Sequence, residues 1–135
     1  MPSPLPTFGL RSEQIVTAAT KSPTQATDSG FVQNYVPTTA GTTGVFTLPA
    51  VAAGNVGLSF TFRAGGNNGD SPVTVTPNAA DGVNGLGFTS AVGKGPQVLA
   101  AVQKAGDEVT LVSSGVTGVN AWNITAANGT WTRLP

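Results

Sequence analysis

Residues 105–131 read AGDEVTLVSSGVTGVNAWNITAANGTW. Two runs in this stretch, Asp107 to Ser114 and Gly118 to Thr125, largely alternate apolar and polar side chains, the two-residue period of a strand with one buried face. Turn residues punctuate them: Ala105-Gly106 before the first run, GVTG between the two, and Ala127-Asn128-Gly129 after the second. The stretch therefore reads as strand, turn, strand, turn and the beginning of another strand. Asn128-Gly129 is the dipeptide that supplies both positive-φ residues of a type I′ hairpin turn. A two-residue loop there would place Trp131 opposite Ala126 and continue the Trp122, Ile124 and Ala126 face onto the indole.

The same pattern extends back towards the N-terminus. GVFTLPAV (44–51), VGLSFTFRA (56–64), SPVTVTPNA (71–79) and PQVLAAVQ (96–103) are short runs separated by AAGN, GGNNGD and ADGVNGLG, and GTWTRLP (129–135) closes the chain. Strands recurring at roughly ten-residue spacing with turn signals between them point to a sandwich or barrel. Val56, Leu58, Phe60 and Phe62 share one face of their run and form the clearest core prediction. Val73, Val75, Val98, Val109, Leu111, Trp122 and Ile124 are the matching inward positions. FVQNYVP (31–37) and Ile15-Val16 read as further short strands, and 89–104 has room for one helical turn.

The first eleven residues, MPSPLPTFGLR, are different. Pro2, Pro4 and Pro6 delete backbone donors and bias the residues between them to extended or polyproline conformations. Leu5, Phe8 and Leu10 are left as apolar anchors on an arm. The expected organisation is an N-terminal arm and linking strand over 1–36, then a β-domain over 37–135. The fold class is all-β: an antiparallel sandwich or barrel, jelly-roll or β-tulip-like, with an extended N-terminal arm.

Composition narrows the function classes. The 135 residues suffice for one domain, and Met1 suggests a complete small gene product. Six basic and six acidic residues cancel, and only 9% of the chain is charged, against about 25% in an ordinary domain. No charge recruits nucleic acid. The first residues lack the basic segment and apolar run of a secretion signal, and no run is long enough to span a membrane. A neutral, β-rich surface is prone to association, so a partner is expected.

Chemistry-bearing residues are scarce. Cysteine and histidine are both absent, which removes disulfides, thiolate chemistry and imidazole catalysis. Asp107 and Glu108 are adjacent and point to opposite faces of a strand, so they read as a solvated turn and strand start. Asp70 and Asp81 sit in Gly- and Asn-bearing loops that could suit calcium, but turn formation explains those residues unaided. The expectation is no enzyme and no cofactor. Asn123 and Asn128 both begin glycosylation sequons and read as strand and turn residues. Trp122 and Trp131 read as core, with a sugar-stacking platform as the alternative.

The order of segments between residues 44 and 131 supports a comparison: FTLPAVAAGNVGLSFTFRAGG, SPVTVTPNAADGVNG, AGDEVTLVSSG, NAWNIT and GTW. It resembles a β-rich module of tailed-bacteriophage virion proteins, which include head decoration proteins, head fibres and tail fibres. The chain departs from that module in the longer LGFTSAVGKGPQVLAAVQ connection (86–103) and in its first forty residues. For a product of this size the resemblance implies a capsid decoration, or cement, protein of the virion surface, made in the host bacterial cytoplasm. The implied partners are the major capsid protein and further copies of the chain in a homotrimer, with neither nucleic acid nor membrane. The expected capsid or intersubunit contacts are Pro4, Leu5, Pro6, Phe8, Leu10 and Arg11, with Arg11 available to pair with a carboxylate. The alternative is a head or tail fibre tip that binds a host surface glycan.

Overall fold

The structure, a computed structural model, describes residues 12–135, so the arm positions Pro4, Leu5, Pro6, Phe8, Leu10 and Arg11 lie outside the described residues. The elements in chain order are β1 (Glu13–Val16), β2 (Thr20–Lys21), the one-turn helix α1 (Gln25–Asp28), β3 (Val32–Tyr35), β4 (Gly44–Thr47), a 3-10 turn (Ala53–Asn55), β5 (Ser59–Ala64), β6 (Val73–Thr76), β7 (Val83–Asn84), β8 (Pro96–Val98), β9 (Asp107–Ser113), β10 (Trp122–Asn128) and β11 (Thr132–Arg133). They build a sandwich of a six-stranded sheet, β1-β3-β5-β9-β10-β7, and a five-stranded sheet, β11-β8-β6-β4-β2. Among the described residues the strands do not close into a barrel.

The all-β sandwich matches the sequence reading, but its pairing differs from the antiparallel expectation. β1, β3 and β5 run parallel to one another, as do β2, β4 and β6, and β7 is parallel to β10. The chain crosses from one sheet to the other at every connection except β9 to β10, the single antiparallel hairpin of consecutive strands. Up to β9, odd strands thus accumulate in one sheet and even strands in the other, like a flattened coil, and the β9–β10 hairpin then puts β10 beside the odd strands and β11 beside the even ones. Residues 13–35 belong to this coil and contribute strands to both sheets.

The interior is aromatic at its centre. Phe46 from the five-stranded sheet meets Phe62 from the six-stranded one with ring centroids 4.8 Å apart. Phe60 continues the stack to Trp122 at 5.9 Å, and Tyr35 meets Phe46 edge-on at 6.2 Å. All five rings are fully buried, and each contributes on the order of 2 kcal/mol through the water it excludes. Gly44 is a glycine because of this packing: a Cβ there would lie 2.7 Å from the Tyr35 ring. The Tyr35 hydroxyl donates to the Thr42 carbonyl at 2.8 Å. Burial pushes its ionisation above the usual phenol range.

At the β1/β2 end the inward positions are polar. Gln14 and Gln33 stand in register with Phe62, and Lys21 stands in register with Phe46. The Lys21 ammonium donates to Gln14 at 2.9 Å and Gln33 at 2.6 Å, and pairs with Asp28 at 3.0 Å. Asp28 also accepts from the Thr24 amide at 2.7 Å, locking α1 over this edge. Burial alone would raise the Asp28 pKa. The Thr24 amide, Lys21 and the Thr27 hydroxyl outweigh that effect and hold the carboxyl below its ordinary range.

Two core expectations change. Val56 is 67% exposed, because Gly57 turns the chain at φ +79° before β5 begins. The Asn128-Gly129 hairpin does not form: only Gly129 has positive φ, and β11 leaves for the other sheet to pair with β8. Trp131 is still buried, docking between the sheets with its indole N–H donating to Asn128 O at 2.8 Å. A Cβ on Gly129 would come within 2.5 Å of the Asp107 carboxyl.

Candidate interaction surface

The parallel arrangement sorts the connections between two ends of the sandwich. One end collects residues 22–31, 48–58, 77–82, 91–95 and 114–121, as the pairings Gly30 N to Ser59 O, Gly57 N to Ser113 O and Gly82 N to Gly118 O establish. Ser12, whose carbonyl accepts from Val32 N at 2.8 Å, is also at this end, as is Leu134, whose amide donates to Gly95 O.

Asp81 organises this end. It is completely buried, and its carboxylate accepts from Val51 N at 2.8 Å, the Thr117 hydroxyl at 2.6 Å and Gly118 N at 3.2 Å. Its main-chain carbonyl accepts from Gly93 N at 2.8 Å. One residue thereby ties together four connections that are remote in sequence. Charge-assisted hydrogen bonds of this kind hold loops far more firmly than loop sequence alone.

What these tied loops present is apolar. Val56 and Val116 are 67% and 70% exposed on adjoining loops, a Cβ on Gly115 falling 2.7 Å from the Val56 side chain. Val119 and Val92 are exposed further along, both adjoining Gly82, and Phe31 is partly exposed over β3. Ser114, Val116, Gly118 and Val119 line a shallow open depression. Elsewhere exposed apolar groups are more scattered: Leu99 and Val102 at the opposite end, Leu86 in the β7–β8 connection, and Ile15 on the outer face. Loops held rigid yet carrying uncovered valines are a feature of contact surfaces.

The sequence-selected polar residues have structural partners. Asp107 is buried, not solvated, and accepts from Lys104 N at 2.8 Å. Glu108 points to the opposite, outer face, where it accepts from Arg63 at 3.0 Å, and Arg63 also pairs with Glu13. Asp70 is separate from Asp81, its carbonyl accepting from Gly41 N at 2.7 Å. No group of three metal-ligating side chains occurs among the described residues. Trp122 and Trp131 are both buried, which removes them as a sugar platform. Asn123 is half-buried and Asn128 exposed. No described helix is long and apolar enough to cross a membrane. The valine-bearing end was missed in the sequence because its residues sit in turn segments; the signal was valine inside GNVG and GVTGVN.

No protein-family model matches this chain, and no curated protein matches its sequence.

Proposed function

We propose that the protein is a capsid decoration protein of a tailed bacteriophage, made in the host bacterial cytoplasm and carried on the outer surface of the head. Its activity is binding. Each subunit buries apolar surface against the major capsid protein and its neighbours in a homotrimer, and preferential binding to the assembled shell stabilises it by mass action. The observation that supports this reading is the valine-bearing end of the sandwich, whose loops are tied together by Asp81. Exposed valines on firmly tied loops suit burial against a partner, and only 9% of the chain is charged. Leu5, Phe8 and Leu10 supply anchors, Pro4 and Pro6 reduce the entropy lost on ordering, and Arg11 supplies a charge for a shell carboxylate.

The test is addition of purified protein to expanded phage heads that lack a decoration protein. Cosedimentation with the heads and a raised temperature of shell disruption are expected. Removing residues 1–11 should abolish binding while the circular dichroism of the β-domain is unchanged. Full binding by the truncated protein would remove the arm from the reading. Binding to a glycan array without binding to heads would replace it with a fibre tip.

A further inference from the structure

We infer that Asn128 is a site of spontaneous, one-way modification in the folded protein: the Gly129 nitrogen displaces its side-chain amide, and the isoaspartyl product releases the anchorage of Trp131. The site lies at the end of the sandwich away from the exposed valines, because β10 begins at Trp122, next to the 114–121 connection, and ends at Asn128, in register with Glu108 near the start of β9. The inference stands independently of the capsid reading.

An asparagine followed by glycine is the labile pair, since a residue without a Cβ lets its nitrogen approach the preceding carboxamide closely. The nitrogen gives its proton to water and bonds to the asparagine Cγ, the Cγ–Nδ2 bond breaks, and ammonia leaves with the proton. Water then opens the resulting cyclic imide at either carbonyl. Water is consumed, ammonia is released, and the carboxamide becomes a carboxylate. The product is aspartyl, with the main chain unchanged, or isoaspartyl, with the main chain lengthened through the former side chain.

The chain holds three such pairs, Asn68-Gly69, Asn84-Gly85 and Asn128-Gly129, and the fold treats them differently. In the first, both reacting groups are tied: Gly69 N donates to Gln103 O at 3.0 Å, and Asn68 Oδ1 accepts from Ala105 N at 3.0 Å. In the second, the Asn84 carboxamide is held at both ends, Nδ2 donating to Asn123 at 3.4 Å and Oδ1 accepting from the Ser90 hydroxyl at 3.3 Å, while Gly85 packs against Ile124. In the third, Asn128 is exposed and its Nδ2 reaches Gly106 O only at 3.5 Å, the long limit of a hydrogen bond. Among the described residues, none hydrogen-bonds its Oδ1 or the Gly129 nitrogen.

The fold also enforces the labile pair. A side chain at position 129 would meet the Asp107 carboxyl at 2.5 Å, and the φ of +102° there favours glycine. The reactive neighbour of Asn128 is therefore a requirement of the packing.

The product changes what Asn128 holds. Its main-chain carbonyl accepts the Trp131 indole N–H at 2.8 Å. In the isoaspartyl form that carbonyl leaves the main chain as a carboxylate, and the path to Trp131 lengthens. Either product also sets a new negative charge in register with Glu108 and next to Asp107, and like charges directly opposite on a ladder are unfavourable.

The test is incubation of the full-length protein at mildly alkaline pH, with and without denaturing urea. Peptide mass spectrometry follows the three pairs, and isoaspartyl methyltransferase labels the isoaspartyl fraction. In the native protein Asn128 should convert at least about tenfold faster than Asn68, the factor imposed by first opening a pair of hydrogen bonds. Asn84 should fall between them, and in urea the three rates should converge. Native conversion of Asn68 or Asn84 as fast as that of Asn128, or absence of conversion at Asn128, overturns the inference. Asn128→Gln should abolish conversion at that position, and its persistence there would overturn the assignment. In the isoaspartyl fraction, amide exchange at Thr132 and Arg133 should rise at least about fivefold through loss of the Trp131 bond. Fresh Asn128→Asp, which carries the charge on an unaltered main chain, should show a smaller rise. Unchanged exchange in the isoaspartyl fraction, or an equal rise in both, overturns the release of Trp131.

Discussion

Replacing Asp81 should loosen one end of the sandwich selectively, and the size of the effect follows from its partners. The carboxylate accepts three hydrogen bonds while fully buried, two of them short, and none comes from a cationic side chain. Hydrogen bonds to a charged group contribute about 1.5–3 kcal/mol each, and a buried donor left unpaired costs about 1–3 kcal/mol. Against that stands the relief of no longer burying a charge. Asp81→Ala strands two backbone amides, Val51 and Gly118, and should cost about 3 kcal/mol. Asp81→Asn keeps one acceptor oxygen for Thr117 and Gly118 but turns an amide NH2 towards the Val51 N–H, so it should cost about 2 kcal/mol. Urea denaturation measures both, with a lower midpoint and an unchanged slope expected. Hydrogen exchange supplies the spatial part: the amides of Val51, Gly93 and Gly118 should lose protection well before those of Val109 and Leu111. A cost below about 1 kcal/mol for Asp81→Ala, or loss of protection spread evenly over the molecule, would refute the role of Asp81 as the tie.

Other outcomes follow from the same geometry. Gly44→Ala should destabilise the fold by about 2 kcal/mol by driving a methyl into the Tyr35 ring, and Tyr35→Leu in the same chain should recover part of that loss in a double-mutant cycle. Asp28, held below its ordinary value of 3.8, contributes stability that is fully present above that value and is lost as pH falls through its lower folded value. The stability gap between wild type and Asp28→Asn, read by urea midpoints from pH 7 down to pH 2, should therefore close at the acid end. Trp131→Ala should cost about 3 kcal/mol despite its place near the C-terminus, as chemical denaturation would show.

Most strands were legible because their burial alternates. In β9, Val109 and Leu111 alternate with Thr110 and Val112 just as the sequence pattern requires. Pairing was not legible, because a Gly-rich turn between two apolar runs looks the same whether the chain folds back within a sheet or crosses to the facing one. The AAGN turn illustrates this: it joins β4 to β5 in the opposite sheet, and in doing so leaves Val56 outside. Asn128-Gly129 failed for a related reason. The local preference for a tight hairpin lost to the pairing of Thr132 with Gln97 and to the burial of Trp131. Asp81 and Asp107 read as turn residues because Asp81 sits in a turn and Asp107 opens β9 directly after one. Their carboxylates are buried by partners such as Val51 and Gly129, which lie far along the chain and leave no trace in the surrounding sequence.

The polar interior at β1 and β2 bears on how far such a molecule can grow. Parallel strands that wind alternately into two sheets leave open edges onto which another copy could, on backbone grounds alone, continue the coil indefinitely. To extend the core past Gln14, Gln33 and Lys21, the newcomer would have to set apolar side chains against an ammonium and two amides already committed to one another and to Asp28. The winding therefore carries its own terminator. A second copy is thereby disfavoured at the β1 and β2 edge, and the variant that would expose this safeguard is Lys21→Met with Asp28→Leu.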